Sequence, residues 1–132
     1  MTEKYTYEQL LHIIEELRSE HGCPWDRAQT HESMIGCMRE ECEEAIEAIE
    51  NKDDENLCEE LGDVLLQVLL HARIAEEEGR FSMSDVVDGL AKKMIRRHPH
   101  VFGNAPAAKT PEEGIARWKA IKEQEKLAGK ND

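Results

Sequence analysis

The chain has 132 residues, a net charge of -12 from 17 Lys and Arg against 29 Asp and Glu, and 5% aromatic residues. This length predicts one domain, residues 1–132, that buries about two thirds of its unfolded surface, and the acidic balance excludes a nucleic-acid backbone as partner. No apolar run approaches the roughly 20 residues of a membrane span, the first residues lack a signal-peptide core, and four cysteines without a Cys-x-x-Cys pair fit a reduced, cytoplasmic chain with the thiols as small buried fillers.

Ala, Glu, Leu, Ile and Lys dominate, so an all-α fold of about five helices is expected, with a core over about residues 7–103 and a last helix over about 111–128. Thr6-Tyr-Glu-Gln9 has the capping-box pattern, and Leu10, Leu11, Ile13, Ile14 and Leu17 recur at helical spacing to about Glu20. Gly22 and Pro24 then stop the helix, with a left-handed cap expected at Gly22. Trp25 in the loop that follows is either a hydrophobic plug over the bundle end or a base-stacking wall.

A second helix is expected from Thr30 or His31 to about Asn51, its apolar arc formed by Met34, Ile35, Met38, Cys42, Ala45, Ile46 and Ile49. Glu40, Glu43 and Glu47 point away from that arc, whereas Glu41 and Glu44 lie at its border, one turn apart beside the small residues Cys37 and Ala48. A polar connection over Lys52–Glu55 predicts an antiparallel hairpin with the next helix.

That third helix, Leu57 to Ala75, is apolar nearly all round. At about 100° per residue, Leu57, Leu61, Val64, Leu65, Val68, Leu69 and Ala72 share one arc while Leu66 and Leu70 lie opposite, which calls for cover beyond a thin hairpin and hence for a dimer. One polar stripe runs down it, through Glu60, Asp63, Gln67 and His71. Glu44 lies seven residues before Asn51 and Glu60 about five after Glu55, so Glu41, Glu44, Glu60 and Asp63 come level across the hairpin. Buried carboxylates need a cation. Four of them with no His or Cys form a hard oxygen site suited to Mg²⁺, or to Mn²⁺, and such a site suits cleavage of a phosphoanhydride.

Gly79 is expected to end the third helix and Ser82-Met-Ser-Asp85 to start the fourth, whose last turns carry Lys92, Lys93, Arg96 and Arg97 before His98-Pro-His-Val-Phe-Gly103. This basic segment either complements the helix dipole or binds phosphate. Thr110-Pro-Glu-Glu113 opens the final helix, on which Trp118 and Lys122 share a face.

Glu40-Glu41-Cys-Glu-Glu44 followed by Glu60-Leu-Gly-Asp63 resembles the MazG family of nucleoside triphosphate pyrophosphohydrolases. The likeness extends to Gly22-Cys-Pro-Trp-Asp26, Glu78-Gly-Arg-Phe81, Arg96-Arg-His-Pro-His-Val-Phe-Gly103 and Trp118-Lys-Ala-Ile-Lys122, and spans about Leu10 to Lys126. The resemblance implies an all-α bundle completed by a second subunit, Mg²⁺ dependence, and hydrolysis of an NTP or dNTP to monophosphate and pyrophosphate. It also implies Glu41, Glu44, Glu60 and Asp63 as metal ligands, Glu40 as the acid acting on the attacking water beside Glu41, Lys93 and Arg97 on the phosphates, and Trp118 and Lys122 on the substrate. Some family members carry two such domains in tandem, whereas this chain has one. Pairing of dimers into tetramers, a substrate such as phosphoribosyl-ATP, dUTP or dCTP, and a non-catalytic helical module with a solvated acidic face all stay open at this point.

Overall fold

The computed structural model describes residues 3–129, which contain helices and no strand. They form α1 (Tyr7–Leu17), α2 (Pro24–Ala28), a 3-10 turn (Glu32–Met34), α3 (Ile35–Glu50), α4 (Asp54–Glu77), α5 (Met83–Arg97), α6 (Pro99–Phe102) and α7 (Pro111–Leu127). The five long helices are those expected from the sequence, with α2 and α6 as short additions. Residues up to Met83 make one compact unit and those from Ser84 another.

In the first unit α1 starts at the capping box, in which the Gln9 N–H donates to Thr6 Oγ1 at 3.1 Å and the Thr6 N–H donates to Gln9 Oε1 at 2.9 Å. The helix stops at Leu17, a turn earlier than the periodicity suggests, and the Cys23 N–H folds back onto the Leu17 carbonyl at 2.9 Å. Gly22 is needed there for closeness rather than for a left-handed backbone. A Cβ at that position would lie 2.2 Å from the Glu16 carbonyl oxygen, and positive φ among the described glycines occurs at Gly79 and Gly129 only. Pro24 does not merely break the chain; it sits at the first position of α2, where its missing N–H costs nothing. Trp25 on α2 is 73% exposed, so it plugs no core.

The α3–α4 hairpin turns within three residues. Lys52 adopts a left-handed backbone at φ 54°, and Asp53 caps α4 by accepting the Asn56 N–H at 3.2 Å. Gly79, at φ 72°, ends α4 as expected. Where α1, the 3-10 turn and α4 meet, Ile14, Met34, Leu69, Leu70 and Ile74 form the core, with Leu10, Leu11, Leu17, Leu66 and Met83 packed around them.

This assignment corrects the reading of α4. Leu66 and Leu70 are not an uncovered back; they face α1 and the core, because a helical wheel gives relative directions but not which side meets the neighbour. Of the opposite arc, Leu69 and Ala72 are buried as well, and only its N-terminal part is left open. Leu61 and Leu65 on α4 are exposed, as are Ile46 and Ile49 on α3. Cys37, Cys42 and Cys58 are also exposed and Cys23 half-buried, so the thiols are free but do not fill a core.

In the second unit α7 begins as expected, with Thr110 accepting the Glu113 N–H at 3.1 Å and Pro111 at its first position. Glu125, on its last turns, accepts hydrogen bonds from both Arg96 and Arg97, the Arg97 Nη2 contact being 2.8 Å. Those bonds hold the Glu125 carboxyl down at about 2, against an ordinary 4.5. The Arg97 guanidinium also lies over the Trp118 ring at 5.3 Å, and Lys122 Nζ lies 4.8 Å from the same ring.

Candidate metal centre

The hairpin brings two acidic pairs to one place. Glu41 and Glu44 lie one turn apart on α3, Glu60 and Asp63 one turn apart on α4, and one carboxylate oxygen from each falls within 4.8 Å of all the others. The antiparallel register does this by itself, as the equal distances from the turn require. Glu60 is 9% exposed and Glu41 half-buried, with Glu44 at the open side. Glu40, next to Glu41, is exposed, as are Glu43 and Glu47.

Four carboxyls this close cannot all stay ionised without a counter-charge. The Glu60 carboxyl is pushed up to about 7 from 4.5, first by its hydrogen bond with Glu44, then by burial and by the charges of Glu44, Asp63 and Glu41. Glu41 is raised as well, by burial first and then by Glu44 and Asp63. Glu41 Oε2 and Glu60 Oε2 are buried and meet no hydrogen-bond donor. Orphaned anionic oxygens in an all-oxygen set are what a small hard dication takes as ligands, so these residues fit Mg²⁺ or Mn²⁺ and do not fit Zn²⁺, which would call for Cys or His.

The family match falls on this same stretch. The MazG nucleotide pyrophosphohydrolase domain matches residues 29–102, which contain both acidic pairs. The chain belongs to the MazG family. It is 53% identical over 120 residues to a nucleoside triphosphate pyrophosphohydrolase/pyrophosphatase MazG of Thermotoga maritima, covering 91% of this chain and 45% of that protein. It is 42% identical over 120 residues to a nucleoside triphosphate pyrophosphohydrolase of Escherichia coli K12, covering 90% of this chain and 45% of that one. This MazG domain therefore spans about half the length of those relatives. The crystal structure of a mazG-related protein from Thermotoga maritima superposes with a TM-score of 0.70 at 33% identity, covering 88% of this chain and 98% of that one.

The other residues singled out in the sequence lie outside the acid cluster. Lys93 and Arg97 follow one another by a turn near the end of α5. Lys93 is half-buried, and Arg97 is 2% exposed and engaged by Glu125. Trp118 and Lys122 share a face of α7, where Trp118 lines a cleft of about 420 Å³ with His98, His100, Pro111, Gly114 and Ile115. Two features of the MazG domain escaped the sequence reading. One is Glu125, an ordinary acid on a charged helix until its two arginines are seen. The other is the joining of His71 to His31 and Arg80, which come from segments far apart in the chain.

The raised Glu60 carboxyl has a direct consequence for metal-free protein. Between pH 4.5 and about 7 the folded state holds a proton that the unfolded state has lost. That contribution to stability is full below pH 4.5 and is lost as pH rises through about 7. In urea melts with chelator present, stability should decline from pH 5 to pH 8, and Glu60→Gln should flatten the decline.

Proposed function

We propose that this MazG domain hydrolyses nucleoside triphosphates to the monophosphate and pyrophosphate, using Mg²⁺, or Mn²⁺ in its place. The observation that supports this reading is the convergence of Glu41, Glu44, Glu60 and Asp63, in a family whose relatives carry that activity in their names. These four residues would hold the cation. When bound, it supplies the positive charge that polarises a phosphoryl oxygen and offsets the charge of the leaving pyrophosphate. Glu40, exposed beside Glu41, is assigned the proton of the attacking water. Lys93 and Arg97 are assigned to the phosphates, and Trp118 and Lys122 to the rest of the substrate, by their match to the family's basic stretch and its tryptophan-lysine segment.

The working form on this reading is a homodimer. Ile46, Ile49, Leu61 and Leu65 leave an apolar face on the hairpin that carries the acids, and a second copy would cover it. Sedimentation at micromolar concentration should give a mass of two chains; a monomer would refute the dimer and leave the catalytic reading standing. Pairing of dimers into a tetramer is a further outcome of the same measurement. The free thiols agree with a cytoplasmic setting, where removal of unwanted nucleotides from the pool is the role such an activity would serve.

The deciding experiment supplies Mg²⁺ and a panel of ribo- and deoxyribonucleoside triphosphates, with dUTP, dCTP and phosphoribosyl-ATP included, and reads pyrophosphate. Release from at least one substrate, absent with chelator, is expected. No release from any of them would overturn the proposal, as would a melting temperature that Mg²⁺ fails to raise, since a ligand that prefers the folded state must stabilise it.

A further inference from the structure

The polar stripe of α4 does not end at the acids. One turn beyond Asp63, Gln67 is 6% exposed and its Oε1 is buried without a donor. One turn further, the Nε2 atom of His71 is buried and also unmatched. If the two were partners for each other, spacing by four residues would let them bond, and they do not. Both groups are buried without a partner on the face that carries the proposed metal ligands.

The protonation of His71 is fixed from outside. Arg80 Nη2 lies 2.6 Å from His31 Nε2. A guanidinium can only donate, so that ring nitrogen must accept and the His31 proton must sit on Nδ1. His31 Nδ1 lies 2.6 Å from His71 Nδ1, and the two rings are nearly parallel, with centroids 4.9 Å apart and planes 4° apart. His31 therefore donates to His71 Nδ1, and His71 is neutral with its proton on Nε2. Burial, and then the neighbouring His31, hold the His71 imidazole below its ordinary pKa, in agreement with a ring kept uncharged. The chain Arg80, His31, His71 thus ends in a buried N–H donor of fixed orientation. An ion pair between Arg80 and Glu78 at 2.5 Å anchors its outer end.

At 1.5 Å rise per residue, Gln67 lies about 6 Å and His71 about 12 Å along α4 from Asp63. Those lengths match the reach of the non-phosphate half of a nucleotide whose phosphates lie at the acids. We propose that Gln67 and His71 bind the nucleoside moiety of the substrate, through a hydroxyl or base-edge group that accepts from His71 Nε2–H and meets the Gln67 carboxamide, with His31 and Arg80 as positioning residues that keep the donor on Nε2. This inference rests on the nucleotide-hydrolase reading for the nature of the ligand, but it concerns affinity for the nucleoside and not the chemistry at phosphorus.

Its test uses the full chain labelled with ¹⁵N-histidine, with Mg²⁺ present. Before any nucleotide is added, His71 should show a protonated Nε2 and a bare Nδ1; the opposite tautomer would overturn the relay. On titration with a nucleoside monophosphate the His71 Nε2–H signal should shift, while inorganic phosphate and pyrophosphate should leave it in place. In turnover, Gln67→Leu and His71→Phe should each raise KM roughly tenfold, as the loss of one neutral hydrogen bond allows, with kcat within about twofold. Should these core-facing variants fold poorly, Arg80→Met on the exposed end tests the same chain; it should bring out the second His71 tautomer and raise KM by a smaller factor.

Deoxy-sugar and base-modified triphosphates separate the two sources of the contact. The analogue lacking the recognised group should lose its sensitivity to His71→Phe. Pyrophosphate release that continues while the His71 signal ignores every nucleotide would sink the inference and spare the function. A His71 shift with nucleoside monophosphate in a protein that cleaves no triphosphate would do the reverse.

Discussion

Asp63→Asn should lower nucleoside triphosphate turnover by at least about a hundredfold, with little loss of fold. Asp63 is one of four carboxylates whose oxygens lie within 4.8 Å of one another. Removing its charge takes away a proposed metal ligand without changing the shape of the side chain, and Glu41→Gln should act alike. The sign of the accompanying stability change is diagnostic. In metal-free protein each neutral substitution relieves repulsion that now raises the Glu41 and Glu60 carboxyls, so the variants should melt at or above the parent temperature. With Mg²⁺ the order should invert, because the parent gains more from the ion. Two measurements decide the matter: a pyrophosphate assay, and melting with and without Mg²⁺. A variant as active as the parent would remove Asp63 from the site. Lower stability in the absence of metal would mean that the acids serve the fold.

The second large effect lies in α7. Glu125→Ala should reduce the melting temperature by roughly 10 °C, because Glu125 is nearly buried and accepts from two guanidiniums, one of them only 2% exposed. Protonation gives an independent check. The Glu125 carboxyl sits at about 2 in the folded chain and at 4.5 in its ordinary state. Its contribution to stability is therefore present above pH 4.5 and is lost as pH falls through about 2. The acid limb of the parent's stability profile should be shallower in Glu125→Ala, and a variant that melts within a degree or two of the parent would show that the pair contributes nothing. Since Arg97 is also assigned to phosphate, loss of Glu125 should in addition change KM for triphosphates.

Much of the first unit was legible before any coordinates, and for a physical reason. The acid cluster depends on two helices joined by a short turn, so counting residues from the turn to Glu44 and to Glu60 is enough to bring them level. Helix starts at Thr6 and Thr110 and the stop at Gly79 were legible because each is decided by a local hydrogen bond or a local backbone angle. Direction was harder. The wheel for α4 separates Leu66 and Leu70 from Leu61 and Leu65 but cannot tell which pair meets α1, since that depends on where α1 packs. Pro24 reads as a stop and turns out to be the first residue of a short helix, because the same ring that ends one helix suits the start of another. The pairing of His31 with His71, held by Arg80, joins residues 40 and 49 positions apart, and no spacing rule reaches that far.

The tight turn at Asn51–Asp53 also bears on how the chain reaches its native state. The four acids that crowd together are close along the backbone, with Lys52 at φ 54° between their helices. Such a hairpin closes early, since little loop entropy opposes it. The mutual repulsion of Glu41, Glu44, Glu60 and Asp63 is then met on the way up the barrier and not after it. Refolding in chelator should slow as the solution is made alkaline through neutrality, and divalent ions should speed it.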